Sequence, residues 1–159
     1  MKKTNAARLL DAKGIVYDLE EYEVDETDLS AVTLAKKIGP RVLGVEQIFK
    51  TLVLRGDRTG VFVTVIPGNA EVDLKKAAKV SGNKNCAMVH QKELLGLTGY
   101  IRGGCSPLGM KKPYPIYIYE NCLLFDQIFI SAGQRGLQLI LNPEDLIRIT
   151  GAVVCDLAE

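Results

Sequence analysis

The sequence predicts an α+β fold with a mixed, mostly antiparallel sheet, and three observations carry that prediction. The chain has 159 residues and a mass of 17.4 kDa, the size of one domain with room for a substantial core. Helical and strand periodicities are interspersed along it rather than segregated. The connections between the strongest strand signals are of hairpin length, which favours antiparallel pairing over a doubly wound parallel sheet.

Thr4 to Lys13 has a helical pattern: Thr4 or Asn5 can cap it, Ala6, Leu9 and Leu10 share a face, and Gly14 stops it. Ile15 to Val24 mixes apolar residues with carboxylates in near alternation, as a half-exposed strand does. Ser30 to Ile38 reads as a second helix, with Val32, Ala35 and Ile38 on one stripe and Gly39-Pro40 ending it. Gln47–Arg55 and Gly60–Pro67 are dense strand signals joined through Gly56-Asp57-Arg58-Thr59, which makes them a hairpin. Asp73 to Ser81 is a helix with Leu74, Ala77, Ala78 and Val80 inward, Lys75, Lys76 and Lys79 outward, and Gly82 at its end. Cys86–His90 reads as a short strand and Gln91–Leu95 as a helical turn or two. After a glycine-rich segment, Gly99 to Gly109, the strands Ile116–Tyr119, Ile128–Ser131 and Leu137–Leu141 follow. Asn142 caps a last helix that has Pro143 at its first position, Glu144 and Asp145 in its first turn, and Gly151 as its stop. Val153–Asp156 suits a final edge strand.

Composition narrows the function by exclusion. Hydrophobic residues make up 47% and charged residues 25%, ordinary globular usage that excludes a disordered chain. Lys plus Arg number 20 against 19 Asp plus Glu, so only the distribution of charge can speak about a nucleic-acid partner. Met1-Lys2-Lys3-Thr4-Asn5 is followed by no apolar run, and no stretch approaches the ~20 apolar residues of a membrane span. The expectation is a cytoplasmic protein without a secretory leader. Cys86, Cys105, Cys122 and Cys155 form no CxxC pair and read as free thiols, and together with the single His90 they offer no zinc-type spacing. Neither a metal nor a cofactor is expected. His90 has no GxSxG elbow beside it, and Gly99-Tyr100-Ile101-Arg102-Gly103-Gly104 lacks the ending of a phosphate-binding loop.

Three features remain. Gly103-Gly104-Cys105-Ser106-Pro107-Leu108-Gly109 pairs glycines, which admit a ligand close to the backbone, with a stiffening proline. Ser131-Ala132-Gly133-Gln134-Arg135-Gly136 is a second glycine-bearing turn, between two strands. Composition alone suits a tight turn or a binding role equally in both. Lys50 interrupts the apolar run Ile48-Phe49-Lys50-Thr51-Leu52-Val53-Leu54, sharing one strand face with Ile48, Leu52 and Leu54. Such a lysine either snorkels at a sheet edge or points into a pocket to meet an anion or a carbonyl.

In this order, the segments resemble the YbaK/EbsC family of aminoacyl-tRNA deacylases, relatives of the editing domain inserted in bacterial prolyl-tRNA synthetases. The pieces that carry the resemblance are Phe49-Lys50-Thr51-Leu52-Val53, Asp73-Leu74-Lys75-Lys76-Ala77-Ala78-Lys79, Thr98-Gly99-Tyr100, Gly103 to Lys112, and Ser131 to Leu137. It spans nearly the whole chain and implies one domain over residues 1–159, with a barrel-like sheet and surrounding helices. The KKAAK helix and the GGxSPLGxKK loop are most similar to the branch that clears cysteine from mischarged tRNA(Pro), with Cys-tRNA(Cys) as a further substrate. The resemblance implies Lys50 and Gly103 as catalytic residues, and Tyr22, Thr51, Gly104, Ser106, Pro107, Ser131 and Gly133 as substrate-binding ones. In the implied mechanism the cysteinyl thiol attacks its own carbonyl and expels the ribose hydroxyl. Lys50 holds the substrate, backbone N–H groups around Gly103 and Gly104 serve the oxyanion, and Tyr22 and Ser131 orient the aminoacyl group.

Lys75, Lys76 and Lys79 on one helix, with Lys111 and Lys112 after the glycine loop, can neutralise tRNA phosphates without reading bases. From the residues alone a solvated helix face is the preferred reading of these lysines, and only the resemblance favours phosphate contacts. With no RNA-binding motif in the chain, the resemblance points to prolyl-tRNA synthetase as the partner that supplies tRNA identity. Two alternatives stand beside this reading: deacylation of Ala-tRNA(Pro), and a non-catalytic module that binds aminoacyl-tRNA or a synthetase.

Overall fold

The computed structural model describes residues 3–39 and 44–159. Within them the chain runs α1 (Asn5–Ala12), β1 (Tyr17–Glu21), α2 (Ala31–Ile38), β2 (Phe49–Gly56), β3 (Gly60–Pro67), α3 (Leu74–Ser81), β4 (Cys86–Met88) and α4 (Gln91–Thr98). β5 (Ile116–Tyr119), β6 (Ile128–Ser131), β7 (Leu137–Leu141), α5 (Pro143–Thr150) and β8 (Val153–Cys155) complete it. Helix starts follow local chemistry. Thr4, Ser30, Asp73 and Asn142 each accept a backbone N–H of the first turn with a side-chain oxygen, which satisfies donors that the helix itself cannot. Of the predicted Gly39-Pro40 stop, Gly39 closes α2 with φ +77°, while Pro40 lies outside the described residues, as do Met1 and Lys2.

The strands form two sheets, ordered β4-β2-β3-β5-β8 and β1-β7-β6. Four of the six pairings are antiparallel; β3–β5 and β5–β8 are parallel. Among the described residues hairpins account for only β2–β3 and β6–β7, so the expectation that hairpin-length connections dominate is corrected. The remaining pairings join strands distant in sequence, because burying one face of each strand needs partners that the local chain does not supply. A parallel bridge, Ile48 to Phe129, fastens the two sheets together at the start of β2.

Between the sheets lies the main core. Phe49, Val53, Val63 and Val65 meet Ile118, Ile128, Ile130, Leu137, Leu139 and Leu141, and α1 and α5 close the ends with Leu10 and Leu146. The opposite face of β2 and β3 is covered by α3, with Leu54, Phe62, Ile66, Ala77 and Leu157 in contact. A third cluster, Ile38, Ile48, Phe129 and Ile140, sits under α2. Two helical stripes differ from expectation. On α2, Val32 is half exposed, and Ala31, Leu34, Ala35 and Ile38 face inward instead. On α3, Leu74 is exposed and Ser81 is buried, its hydroxyl donating to the Ala77 carbonyl at 2.7 Å. α4 runs three residues beyond the predicted Leu95, to Thr98, and β4 ends at Met88 rather than His90.

Candidate active site

The site begins with how β2 loses its neighbours. β6 bridges the chain at Ile48, just before β2, and no ladder pairing beyond that bridge joins the two strands among the described residues. β4 pairs only with Leu54–Gly56, and Val89 adds one bond to the Val53 carbonyl at 3.0 Å. The edge of β2 at Lys50–Leu52 is thus left without a strand beside it. A cleft of about 720 Å³ opens there and wraps the edge, so residues from both faces line it: Lys50 and Leu52 from one, Phe49, Thr51 and Val53 from the other. Its volume falls inside the range of roughly 300–1,000 Å³ typical of ligand sites.

Lys50 sits on the strand face between Ile48, packed under α2, and Leu54, packed under α3. It is half-buried, and its ammonium has no hydrogen-bond or ion-pair partner among the described residues. Lys37, also on the wall, is instead held by the Glu23 carbonyl at 2.7 Å. A partly buried cation with no protein partner favours a ligand that supplies one, so Lys50 is suited to meet an anion or a polarised carbonyl.

Sharing the cleft with Lys50 are Gly103 and Cys105 of the glycine loop, Ser131 at the end of β6, and Tyr22 beyond β1. Ser131 Oγ accepts the Gly133 N–H at 3.1 Å, which leaves its own O–H to donate. Tyr22 presents its ring from the strand end where its N–H pairs with the Gly136 carbonyl. Burial pushes the Cys105 thiol up to about 12, so it is no nucleophile at neutral pH. Asp25 and Asp28 form the rim. The Thr33 hydroxyl, with Ser30 behind it, holds the Asp28 carboxyl down to about 2, and the Thr27 hydroxyl lowers Asp25 in the same way.

The structure brings five of the sequence-predicted residues together in this cleft: Lys50, Gly103, Tyr22, Thr51 and Ser131. Four others stand behind the wall. The Gly104 N–H, expected to face an oxyanion, donates to the Ile101 carbonyl at 2.9 Å inside the turn. Ser106 and Pro107 are buried, and Ser106 Oγ accepts the Leu108 N–H at 3.2 Å. Gly133, at φ +105°, leaves room for the Tyr100 ring, which would approach a side chain there to 3.0 Å. The lysines lie away from the cleft: Lys75, Lys79, Lys111 and Lys112 are exposed, whereas Lys76 is drawn to Asp156 at 2.8 Å and to the Ala158 carbonyl at 2.8 Å. His90 leads into α4 outside the cleft, its N–H donated to Glu93. Among the described residues no group of three or more His, Cys, Asp or Glu could hold a metal ion, and no helix is long and apolar enough to cross a membrane.

Gln138 is the cleft residue that sequence reasoning missed. It lies on β7 opposite Ser131, is only 4% exposed, and its Oε1 has no hydrogen-bond partner. A glutamine between Leu137 and Leu139 was the available signal, because an interior strand position seldom takes an amide without a use for it.

The model of the aminoacyl-tRNA editing domain family matches residues 27–149. A protein of Enterococcus faecalis (strain ATCC 700802 / V583), named provisionally as the Cys-tRNA(Pro)/Cys-tRNA(Cys) deacylase EbsC, is 48% identical over 149 residues, which cover 94% of this chain and 89% of its own. The crystal structure of a provisionally assigned trans-editing enzyme for prolyl-tRNA synthetase superposes with a TM-score of 0.84 at 28% identity, covering 100% of this chain and 99% of the other. That of the hypothetical protein APE2540 has a TM-score of 0.88 at 23% identity, covers 98% of this chain and 100% of its own, and bears on the fold. With the family model spanning most of the chain and a relative nearly half identical along it, this protein belongs to the aminoacyl-tRNA editing domain family.

Proposed function

We propose that the chain is a trans-editing deacylase that hydrolyses the ester of mischarged Cys-tRNA(Pro), with Cys-tRNA(Cys) as a second substrate. The observation that carries the reading is the unpartnered Lys50 ammonium, half-buried in a cleft walled by Gly103 and Ser131. The cleft supplies charge and donors, and its rim carboxylates, Asp25 and Asp28, are engaged by the Thr27 and Thr33 hydroxyls. That suits a reaction in which the substrate supplies the nucleophile. The cysteinyl sulfur forms a bond to its own carbonyl carbon, the ester C–O bond breaks, and the ribose oxygen leaves with the thiol proton; water then opens the resulting thiolactone to free cysteine. The ester is already activated, so positioning and charge stabilisation do most of the catalysis.

In this reading Lys50 donates to the carbonyl oxygen or the terminal ribose, and the Gly103 N–H faces the developing oxyanion. Gln138 Oε1 accepts from the substrate's α-ammonium, a partner that its buried position otherwise lacks. Tyr22, Thr51 and the Ser131 hydroxyl orient the aminoacyl group, while Gly104, Ser106, Pro107 and Gly133 shape the two loops. Lys75, Lys79, Lys111 and Lys112 meet tRNA phosphates, and prolyl-tRNA synthetase supplies the identity of tRNA(Pro). The editing domain occupies residues 1–159, and the reaction belongs to the cytoplasm, where tRNA is charged.

The test is the hydrolysis rate of Cys-, Ala- and Ser-tRNA(Pro) by the wild type and by Lys50→Ala. Clearance of the cysteinyl ester is expected to outrun that of the seryl one, and Lys50→Ala to lose roughly 10²–10³-fold in rate while staying folded. Rapid clearance of Ser-tRNA(Pro) would sink the thiol-assisted route, since a hydroxyl is the poorer nucleophile in the same geometry. A preference for alanine would move the protein to the Ala-tRNA(Pro) branch. Absence of turnover with the synthetase present would leave a binding module.

A further inference from the structure

We propose that Arg135 is a positioning residue that fixes and polarises the Gly103 N–H over the cleft; this rests on the deacylase reading above. Arg135 lies behind the wall rather than in it, with its side chain 25% exposed. Its Nε donates to the carbonyl oxygen of Arg102 at 2.8 Å, and its Nη1 stands 3.8 Å from Oε1 of Glu26. The acceptor decides the argument, because the Arg102 carbonyl and the Gly103 N–H belong to the same peptide group. A cation that donates to a peptide oxygen draws electron density toward it and makes the N–H at the other end of that peptide a stronger donor. The N–H strengthened here belongs to a residue that lines the same cleft as Lys50.

The fit around that peptide is close on two sides. Gly103 has φ +84°, a conformation that side chains resist, and a Cβ there would come within 3.1 Å of both Arg135 Nε and Leu29 Cδ1. A Cβ on Gly104 would meet the backbone of Gln134 at 3.1 Å and of Arg135 at 3.2 Å. The two glycine loops therefore lie backbone to backbone, with the guanidinium as their fastener. The segment carrying Glu26 and Leu29 closes the third side. Since the Gly104 N–H is used inside its own turn, the Gly103 peptide is the donor of this loop whose strength Arg135 controls. Lysine cannot reproduce the contact: its ammonium is a point charge at the end of a flexible stem, whereas Nε belongs to a planar fork.

The experiment measures kcat and KM for Cys-tRNA(Pro) hydrolysis in the wild type, Arg135→Lys, Arg135→Gln and Arg135→Ala, together with melting temperatures and the Gly103 amide resonance in nitrogen-15 spectra. Arg135→Gln is expected to lower kcat by roughly 10–100-fold with KM little changed, less than the ~10²–10³-fold lost with a direct oxyanion donor. The Gly103 amide proton should move upfield, Arg135→Lys should recover only part of kcat, and millimolar guanidinium ion should restore part of it to Arg135→Ala. Restoration by a free cation is something a merely structural role would not produce. Arg135→Gln with wild-type kcat and an unmoved Gly103 amide, beside an active wild type, overturns the proposal alone. So does a loss confined to KM or to melting temperature. A wild type inactive on every aminoacyl-tRNA overturns the deacylase reading and carries this one with it.

Discussion

Lys50 and Gln138 show how differently two polar residues inside a sheet can be read. Both interrupt apolar strands and both line the cleft without a protein partner. Lys50 is conspicuous in the sequence because a full charge in an apolar strand demands an explanation. Gln138 is neutral, and its meaning depends on whether a neighbouring strand satisfies the amide, which is a tertiary fact. An unpaired buried oxygen destabilises the empty protein, so replacing it with an apolar group of similar shape should relieve a cost while removing a substrate contact. Gln138→Met is therefore expected to hold or raise the melting temperature, by up to about 1–2 kcal/mol of stability. It should raise KM about tenfold or more, the worth of a hydrogen bond to a charged group. Thermal denaturation beside steady-state kinetics checks both, and a fall in stability with unchanged KM would assign the amide to the fold.

At the scale of elements, the β2–β3 hairpin is the frame of the site, and its far end is fastened by a residue remote from the chemistry. Asn83, just beyond α3, accepts the Arg58 and Thr59 N–H groups at 2.9 Å each and donates to Thr59 Oγ1 at 2.9 Å and Ser81 Oγ at 2.8 Å. Gly56 is required beneath it, because a Cβ there would fall 2.1 Å from the Asn83 amide nitrogen. Asn83→Ala leaves several of these groups without partners and should cost about 2–3 kcal/mol, read from a denaturant midpoint at unchanged slope. kcat at low temperature should stay at the wild-type level, since Asn83 does not line the cleft. The hairpin itself was legible in the sequence from two strand patterns and a Gly-Asp-Arg-Thr turn. The inward stripe of α2 was not, because Val32 and Leu34 are equally apolar and only the packing of α2 on Ile48 and Phe129 chose between them.

For the molecule as a whole, thiols withdrawn from water make stability depend on alkaline pH. Burial pushes Cys105 up to about 12 and Cys122 and Cys155 up to about 11, from an ordinary value of 9.0. A folded value above the unfolded one means stability that is fully present below pH 9 and lost as pH rises through 11 to 12. At about 1.4 kcal/mol per unit, Cys105 alone accounts for a loss on the order of a few kcal/mol across that window. Scanning calorimetry should show the gap in melting temperature between the wild type and Cys105→Ala shrinking above pH 9; a gap constant with pH would refute the assignment. The sequence by itself determined the helix caps, the hairpins, most element boundaries and the order of the segments that carry the family resemblance, because these depend on side-chain chemistry within a few residues. Tertiary structure alone decided that β6 and β2 share no ladder pairing beyond one bridge among the described residues, that Lys50 and Gln138 line one cleft, that the Gly104 N–H is spent inside its own turn, and that Arg135 reaches the Gly103 peptide. Each of these joins segments tens of residues apart, where period and propensity carry no information about which backbone group finds which partner.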